Sequence, residues 1–189
     1  MLSSTIDEIA GLAAGAVLSD RGQPVKIDRI LDLGAVDFDG ETLELWDPVQ
    51  LSSLSLKLKT PGPRAEVYAA LSGQCVRAMK LKFFASKVVE WEEVGETSGP
   101  FGTLVLSRQG PRAKVAKMTF VSSFWDEVFD EAFDPADGAA IVELDLEGGK
   151  VALVAWNDCQ MGGTLFRGRD SQGRVVALLF DAVRISPED

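Results

Sequence analysis

Two adjacent glycines, Gly148-Gly149, lie between two segments that are rich in apolar residues. A two-residue β-hairpin loop needs positive φ at both central positions, and glycine adopts that conformation without steric cost. The pair therefore predicts a hairpin in which Leu144 lies opposite Leu153 on an apolar face. A slip by one residue would move Glu143 into the core, so we expect a strongly specified register.

Further turn signals divide the rest of the chain into short strands. Asp39-Gly40 predicts a hairpin between the segments around Val36 and Leu43, and Ser72-Gly73 predicts another between 65–71 and 74–84. The segment Asp170–Gly173 predicts a turn that leads into a final strand. The chain is therefore expected to be rich in antiparallel strands.

The final strand contains the continuous apolar run Val175–Phe180, in which polar residues do not alternate with apolar ones. Such a run indicates a strand that is buried on both faces, so another element has to cover its far side. Two segments are candidates for helices, residues 3–18 and residues 112–133, because their apolar residues recur at helical spacing. We expect the second helix to cover the run.

These patterns together predict an α+β fold in one domain over residues 1–189. A helix at 3–18 would precede a β-rich body at 24–183, with a mainly antiparallel, twisted sheet or a part-closed barrel and two packed helices. The length of 189 residues is typical of one domain, and 46% apolar residues are enough for a core.

Charge and composition exclude several function classes. The formal net charge is −10 and the isoelectric point is near 4.6, which argues against nucleic acid or an anionic membrane as a partner. The absence of histidine removes the commonest general base and zinc ligand. No metal-ligand or cofactor motif is present, so neither a metal nor a cofactor is expected.

No apolar run reaches membrane-spanning length, and no signal peptide is recognisable, so we expect a cytoplasmic protein with reduced cysteines.

The first candidate site is the loop from Trp156 to Gly163. Asn157, Asp158 and Gln160 are polar residues placed where a strand ends and two glycines let the backbone bend. They are ligand- or partner-binding candidates, together with Trp156. The alternative is an ordinary hairpin loop in which the asparagine and aspartate bind their own backbone. The reactivity of a thiol in this loop, at Cys159, stays open because no basic residue is near it in sequence.

The second candidate site is the segment Glu90–Glu93, with Trp91 and Glu92 as binding candidates. Paired carboxylates can divide acid and base roles when their environments differ. The alternative is a solvated strand edge that a tryptophan anchors. The acidic residues between Asp126 and Asp137 have helical spacing and do not match a calcium-binding loop.

The order of short motifs resembles an uncharacterised bacterial family, a domain of unknown function with a C-terminal signature similar to Ser-Gly-Trp-Gly-Asp-Gly. The motifs are Asp47-Pro48, Phe101-Gly102, the Trp156-Asn157-Asp158 loop and the Gly168–Gly173 turn. The resemblance covers about residues 40–183 and implies a bacterial origin. It departs at Asn157-Asp158-Cys159, where the family has Gly-Asp-Gly, so a catalytic role of those residues in the family would be in doubt here.

Two functions are consistent with the sequence. The first is a non-enzymatic, cytoplasmic bacterial protein that binds a protein partner or a second copy of itself, in the manner of an immunity or regulatory protein. The second is a carboxylate-based enzyme or small-ligand binder whose site is the Trp156–Gly163 loop. The sequence contains no complete catalytic set, which favours the first.

Overall fold

The structure is a computed structural model. It describes ten segments of the chain, and every statement below concerns these residues: 9–11, 13–20, 22–37, 42–46, 55–59, 64–97, 102–107, 138–146, 149–156 and 163–182.

The described residues form thirteen β-strands. In chain order they are β1 (Val17–Asp20), β2 (Gln23–Lys26), β3 (Arg29–Asp37), β4 (Thr42–Trp46), β5 (Ser55–Lys59), β6 (Arg64–Ser72), β7 (Cys75–Lys82), β8 (Glu90–Thr97), β9 (Gly102–Ser107), β10 (Ala139–Leu146), β11 (Gly149–Trp156), β12 (Gly163–Arg169) and β13 (Val175–Asp181).

The strands make three antiparallel sheets in this part of the chain. Strands β1 and β2 form a two-stranded ribbon, and a five-stranded sheet has the order β10-β11-β9-β4-β5. A six-stranded sheet has the order β3-β6-β7-β13-β12-β8. The prediction of a β-rich antiparallel body is confirmed.

Strand β13 lies inside the six-stranded sheet, between β7 and β12, and all seven of its residues are buried. The predicted burial of this strand on both faces is therefore confirmed. On one face Leu178 and Phe180 belong to the main core, which also contains Met79 and Leu81 of β7. On the other face Leu179 packs in a second, smaller cluster.

The second cluster shows which described residues cover the far side of β13. Ile9, Ala10, Leu18 and Ile27 pack there against the sheet. The cover comes from the N-terminal segment, whereas the sequence predicted that a helix at 112–133 would cover the run. The helix predicted at 112–133 lies outside the described residues.

The predicted α+β class with two packed helices is wrong for the described part of the chain, which is all β apart from helical backbone at Ile9 and Ala10. The helix predicted at 3–18 cannot reach residue 18, because β1 begins at Val17. Gly15 has a φ of +85°, and its amide donates to the carbonyl of Ile27 at 2.8 Å. Glycine disfavours helix interiors, and strand pairing stabilises this segment instead.

The hairpin of β10 and β11 forms, but its register differs from the prediction by two residues. Leu144 pairs with Val151, and Leu153 pairs with Val142. A shift by two preserves the face on which each side chain lies, because side chains alternate with period two. The pattern of faces was therefore predicted correctly and the paired residues were not.

The other two predicted hairpins have opposite outcomes. Strands β6 and β7 pair across a turn in which Gly73 has a φ of +61°, so that hairpin is confirmed. The hairpin predicted at Asp39-Gly40 is wrong, because β3 pairs with β6 while β4 pairs with β5 and β9. A local turn signal does not decide which sheet each flanking strand joins.

Cys75, the first residue of β7, is disulfide-bonded. The prediction of reduced cysteines is therefore wrong for this residue. Cys159 is the other cysteine of the sequence and lies outside the described residues. The cytoplasmic location stays a prediction.

We expect Phe180→Ala to lower the free energy of unfolding by about 3–5 kcal/mol, because the ring is fully buried and its removal leaves a cavity. Urea denaturation followed by circular dichroism measures the loss. The control is Val89→Ala, at a side chain that is 61% exposed, where a change within about 0.5 kcal/mol is expected. A loss below about 1 kcal/mol for Phe180→Ala would contradict the central position of β13.

Candidate functional site

The first predicted site falls mostly outside the described residues. Trp156 is the last residue of β11, and Gly163 is the first residue of β12. Asn157, Asp158 and Gln160 lie outside the described residues. The site at this loop therefore stays a prediction.

The second predicted site is divided between two faces of the sheet. Trp91 and Glu92 are neighbours on β8, and Trp91 pairs with Gly168 of β12 while Glu92 pairs with Arg167. Adjacent strand residues point to opposite faces, so these two side chains cannot act on the same ligand. Trp91 and Glu92 therefore stay separate binding candidates, on opposite faces of the sheet.

Glu92 is held in an ion cluster with two arginines. Its carboxylate accepts hydrogen bonds from Nε and Nη2 of Arg167 at 2.9 and 2.5 Å, and Nε of Arg169 lies 3.4 Å away. The bonds from Arg167 are the main reason that the pKa of Glu92 lies below its ordinary value. A carboxylate that is charged and engaged in this way is a poor general acid or base.

Trp91 instead lines a cleft of about 250 Å³ on the other face of the sheet. We call it the lysine cleft, because Lys80, Lys82 and Lys87 line it, and among the described residues no acidic side chain does. The rest of the lining is apolar apart from Ser86 and backbone groups; the main apolar side chains are those of Phe84, Val88, Trp91 and Val176. In a chain with a net charge of −10, this is a local concentration of positive charge.

Lys80 is the most buried of the three ammonium groups. Its Nζ donates a hydrogen bond to the carbonyl of Ala10 at 2.8 Å, at the end of the helical backbone. Burial lowers the pKa of Lys80, and the positive charge of Lys82 lowers it further. Lys80 and Lys82 lie two positions apart on β7, so both side chains lie on the same face.

The other two ammonium groups are more available. Nζ of Lys82 lies 3.4 Å from Oε2 of Glu66, in an ion pair that is about half exposed and therefore weak. Lys87 is exposed and makes no ion pair or hydrogen bond within the described part of the chain. An ammonium group has three donors, so donors remain at both residues for a ligand.

A glycine creates the room in which the tryptophan lies. A Cβ atom at Gly168 would lie 2.9 Å from Cζ3 of Trp91 and 2.8 Å from Cγ2 of Val88. Such distances are below van der Waals contact, so any larger residue would displace this wall of the cleft. The indole ring is half-buried, which leaves part of it at the cleft surface.

The segment 83–89 also lines the cleft, and main-chain hydrogen bonds fix both of its ends. The amide of Phe83 donates to the carbonyl of Val176 at 2.9 Å, and the amide of Val89 donates to the carbonyl of Arg169 at 2.8 Å. The guanidinium of Arg174 lies over the ring of Phe84, 5.6 Å from its centroid. This segment is therefore tied to β12 and β13.

Asp170 holds Arg174 in that position. Its carboxylate accepts from Nε and Nη2 of Arg174 at 2.9 and 2.7 Å, and from the backbone amides of Gln172 and Arg174. The bonds from the Arg174 side chain are the main reason that the pKa of Asp170 is lowered. This aspartate acts through its neighbours and does not line the cleft.

A second cavity of about 150 Å³ adjoins the cleft and shares Lys82 and Phe84 with it. Arg64 and Glu66 also line this cavity. Because Glu66 places a carboxylate there, an anion is better accommodated in the lysine cleft.

Sequence reasoning missed the lysines of the site. Lys80 and Lys82 interrupt an apolar segment, a pattern that fits an edge strand or a half-solvated one, and β7 is an inner strand of its sheet. Two lysines at alternate positions of an inner strand are the signal that could have found the site, because a charged pair there needs either solvent or a ligand.

The chain matches no family model, and no curated protein or solved structure is similar to it. The resemblance to a bacterial family therefore stays a prediction. No group of three or more acidic or cysteine side chains comes together as metal ligands in the described segments. Nor does any helix in those segments have the length and apolar character needed to cross a membrane.

The lowered pKa of Asp170 predicts how the stability of the protein depends on pH. A carboxyl group whose pKa is lower in the folded state contributes stability above its unfolded pKa of about 3.9, and this contribution is lost as the pH falls through the folded value. Asp170→Asn should therefore flatten the fall in stability below about pH 5. Urea unfolding at several pH values measures the slope.

The control for that experiment is Asp37→Asn, at an exposed carboxylate 3.9 Å from Arg64. Because this ion pair is exposed and therefore weak, we expect the control variant to be about as stable as the wild type at neutral pH. Equal slopes for wild type and Asp170→Asn would contradict the role assigned to the Asp170–Arg174 pair.

The lowered pKa of Lys80 makes a second prediction. In protein with ¹³C-labelled lysine, the Cε signal of Lys80 should titrate below the ordinary lysine pKa of about 10.4. Lys82→Ala should raise the midpoint, because it removes a neighbouring positive charge. Lys26→Ala, on the β1–β2 ribbon, is the control and should leave the midpoint unchanged. A Lys80 midpoint that does not respond to Lys82→Ala would show that the two ammonium groups do not interact.

Proposed function

We propose that the protein binds a small anionic ligand in the lysine cleft. The observation that carries the proposal is the lining itself, which among the described residues includes three lysines and no acidic residue. Concave sites with apolar walls and a few convergent polar groups are the usual form of small-ligand sites. The volume of about 250 Å³ suits a ligand at the small end of that class.

Electrostatics support an anion in particular. Without a ligand, the charges of Lys80 and Lys82 repel each other, and Lys80 is partly removed from water. A bound anion would offset both costs, because an opposite charge nearby favours the charged form of each amine. Charge-assisted hydrogen bonds contribute about 1.5–3 kcal/mol each, so two or three of them would support a dissociation constant between roughly 1 mM and 1 µM.

The function as a partner-binding protein stays a prediction from the sequence. A protein interface usually includes a contiguous apolar patch. In the described residues the exposed large apolar side chains are Val17 and Val89, which lie on different strands or loops. The lysine cleft is therefore the better supported site.

Binding can be tested with inorganic pyrophosphate as the probe, by ¹H–¹⁵N correlation spectra during a titration at low salt. We expect the amide signals of the segment 83–89 and of β7 to shift. Lys87→Ala should weaken binding by about tenfold, the loss of one charge-assisted contact. The affinity should also fall as salt is added.

Two variants serve as controls for this titration. Lys26→Ala removes the same charge from the β1–β2 ribbon, and Glu92→Gln changes the opposite face of the sheet. Both should bind pyrophosphate as the wild type does. If Lys26→Ala weakens binding as much as Lys87→Ala, the loss follows from the change in net charge at any position and the cleft is not the site.

A further inference from the structure

We infer that the ligand of the lysine cleft carries a flat apolar group, such as an aromatic ring, next to its anionic group. The inference rests on the proposed function and names the chemical class of the ligand. The anionic group would lie at the ammonium groups, and the flat group would lie against Trp91 and Phe84.

The first support is the composition of the walls. A site for a bare inorganic anion needs donors around the whole ligand, because an anion without its hydration shell has to be hydrogen-bonded on every side. Here the donors come from the three lysines and Ser86, while the remaining walls are Phe84, Trp91 and other apolar side chains. Such walls favour a ligand that has an apolar portion.

The second support is the fixed position of the two rings. Trp91 lies in the room that Gly168 leaves, where a Cβ would come within 2.9 Å of the indole. Phe84 lies under the guanidinium of Arg174, which Asp170 holds through two side-chain hydrogen bonds. Rings that are already ordered lose little conformational entropy when a ligand stacks on them.

Two sources provide this chemistry, a nucleoside phosphate and an aromatic carboxylic acid. Stacking of a ring on an aromatic side chain and a charge-assisted bond to lysine are common to both. The experiment therefore uses two matched pairs of probes. The first pair is adenosine 5′-monophosphate and ribose 5-phosphate, and the second is 1-naphthoate and acetate.

We measure dissociation constants by calorimetry and expect the aromatic member of a pair to bind at least about tenfold more tightly than its partner. Trp91→Leu should remove this difference and leave the affinity for the non-aromatic partner unchanged. Trp91→Phe, which keeps a ring, should retain most of it. If the aromatic probe binds more tightly in the first pair alone, the ligand class is narrowed to nucleoside phosphates. If it does so in the second pair alone, the class is narrowed to aromatic acids. Both results support the inference.

Gly168→Ala is an independent variant, because it displaces the indole and Val88 without replacing any residue of the lining. This variant should reduce the difference in affinity between adenosine 5′-monophosphate and ribose 5-phosphate, and it should leave the affinity for ribose 5-phosphate unchanged. Circular dichroism checks that the sheet is intact. If Gly168→Ala unfolds the protein, the test rests on Trp91→Leu, which changes the other residue of the same contact and should also remove the difference in affinity.

The failures of the two proposals are distinguishable. Equal affinities within both pairs would overturn the inference about the flat group, while anion binding in the cleft would stand. If neither the probes nor pyrophosphate binds, or if binding is insensitive to Lys87→Ala, the proposed function itself is wrong. A gain that persists in Trp91→Leu would show that the ring binds elsewhere and would also overturn the inference.

Discussion

Burial of β13 on both faces is the constraint on which the rest of the structure depends. Seven consecutive buried residues, Val175–Asp181, require apolar cover above and below the sheet. The main core supplies the cover on one face, and Ile9, Leu18 and Ile27 contribute it on the other. Among the lining residues, that N-terminal cover reaches the cleft only at Ala10 and Gly11, beyond which the sheet surface holds Lys80, Lys82 and Trp91. Within the described segments, the cleft therefore lies beside the N-terminal cover of β13.

One side chain of the lysine cleft, that of Lys80, has a structural role and also a role in the proposed binding. Lys80 caps a carbonyl at the end of the helical backbone, which is a favourable position for a positive charge. The same side chain lines the cleft beside Lys82, where burial and repulsion lower its pKa. Lys82 places a second positive charge on the same face, which is the arrangement that the proposed binding of an anion uses.

Much of the fold could be predicted from the sequence, because period-two patterns and turn residues are local signals. The faces of β10 and β11 and the double burial of β13 were correct, although the register of the hairpin was shifted by two residues. Strand partners across the two sheets could not be predicted, since Asp39-Gly40 signals a turn without deciding that β3 and β4 join different sheets. The helix at 3–18 failed because Gly15 and the pairing of β1 with β2 outweigh a weak alanine-rich stripe.

The candidate site could be predicted only in part, and the reason is the geometry of the sheet. Trp91 was named together with Glu92, which lies on the opposite face, whereas Gly168, which leaves room for the indole, comes from β12, far away in sequence. Register brings Lys82 opposite Ala177, Ala177 opposite Gly168 and Gly168 opposite Trp91, across four strands. Two small residues therefore separate a lysine from a tryptophan along one row of the sheet, and their lack of bulk leaves the row open. A site made in this way depends on small residues as much as on charged ones, so a search for reactive side chains alone overlooks it.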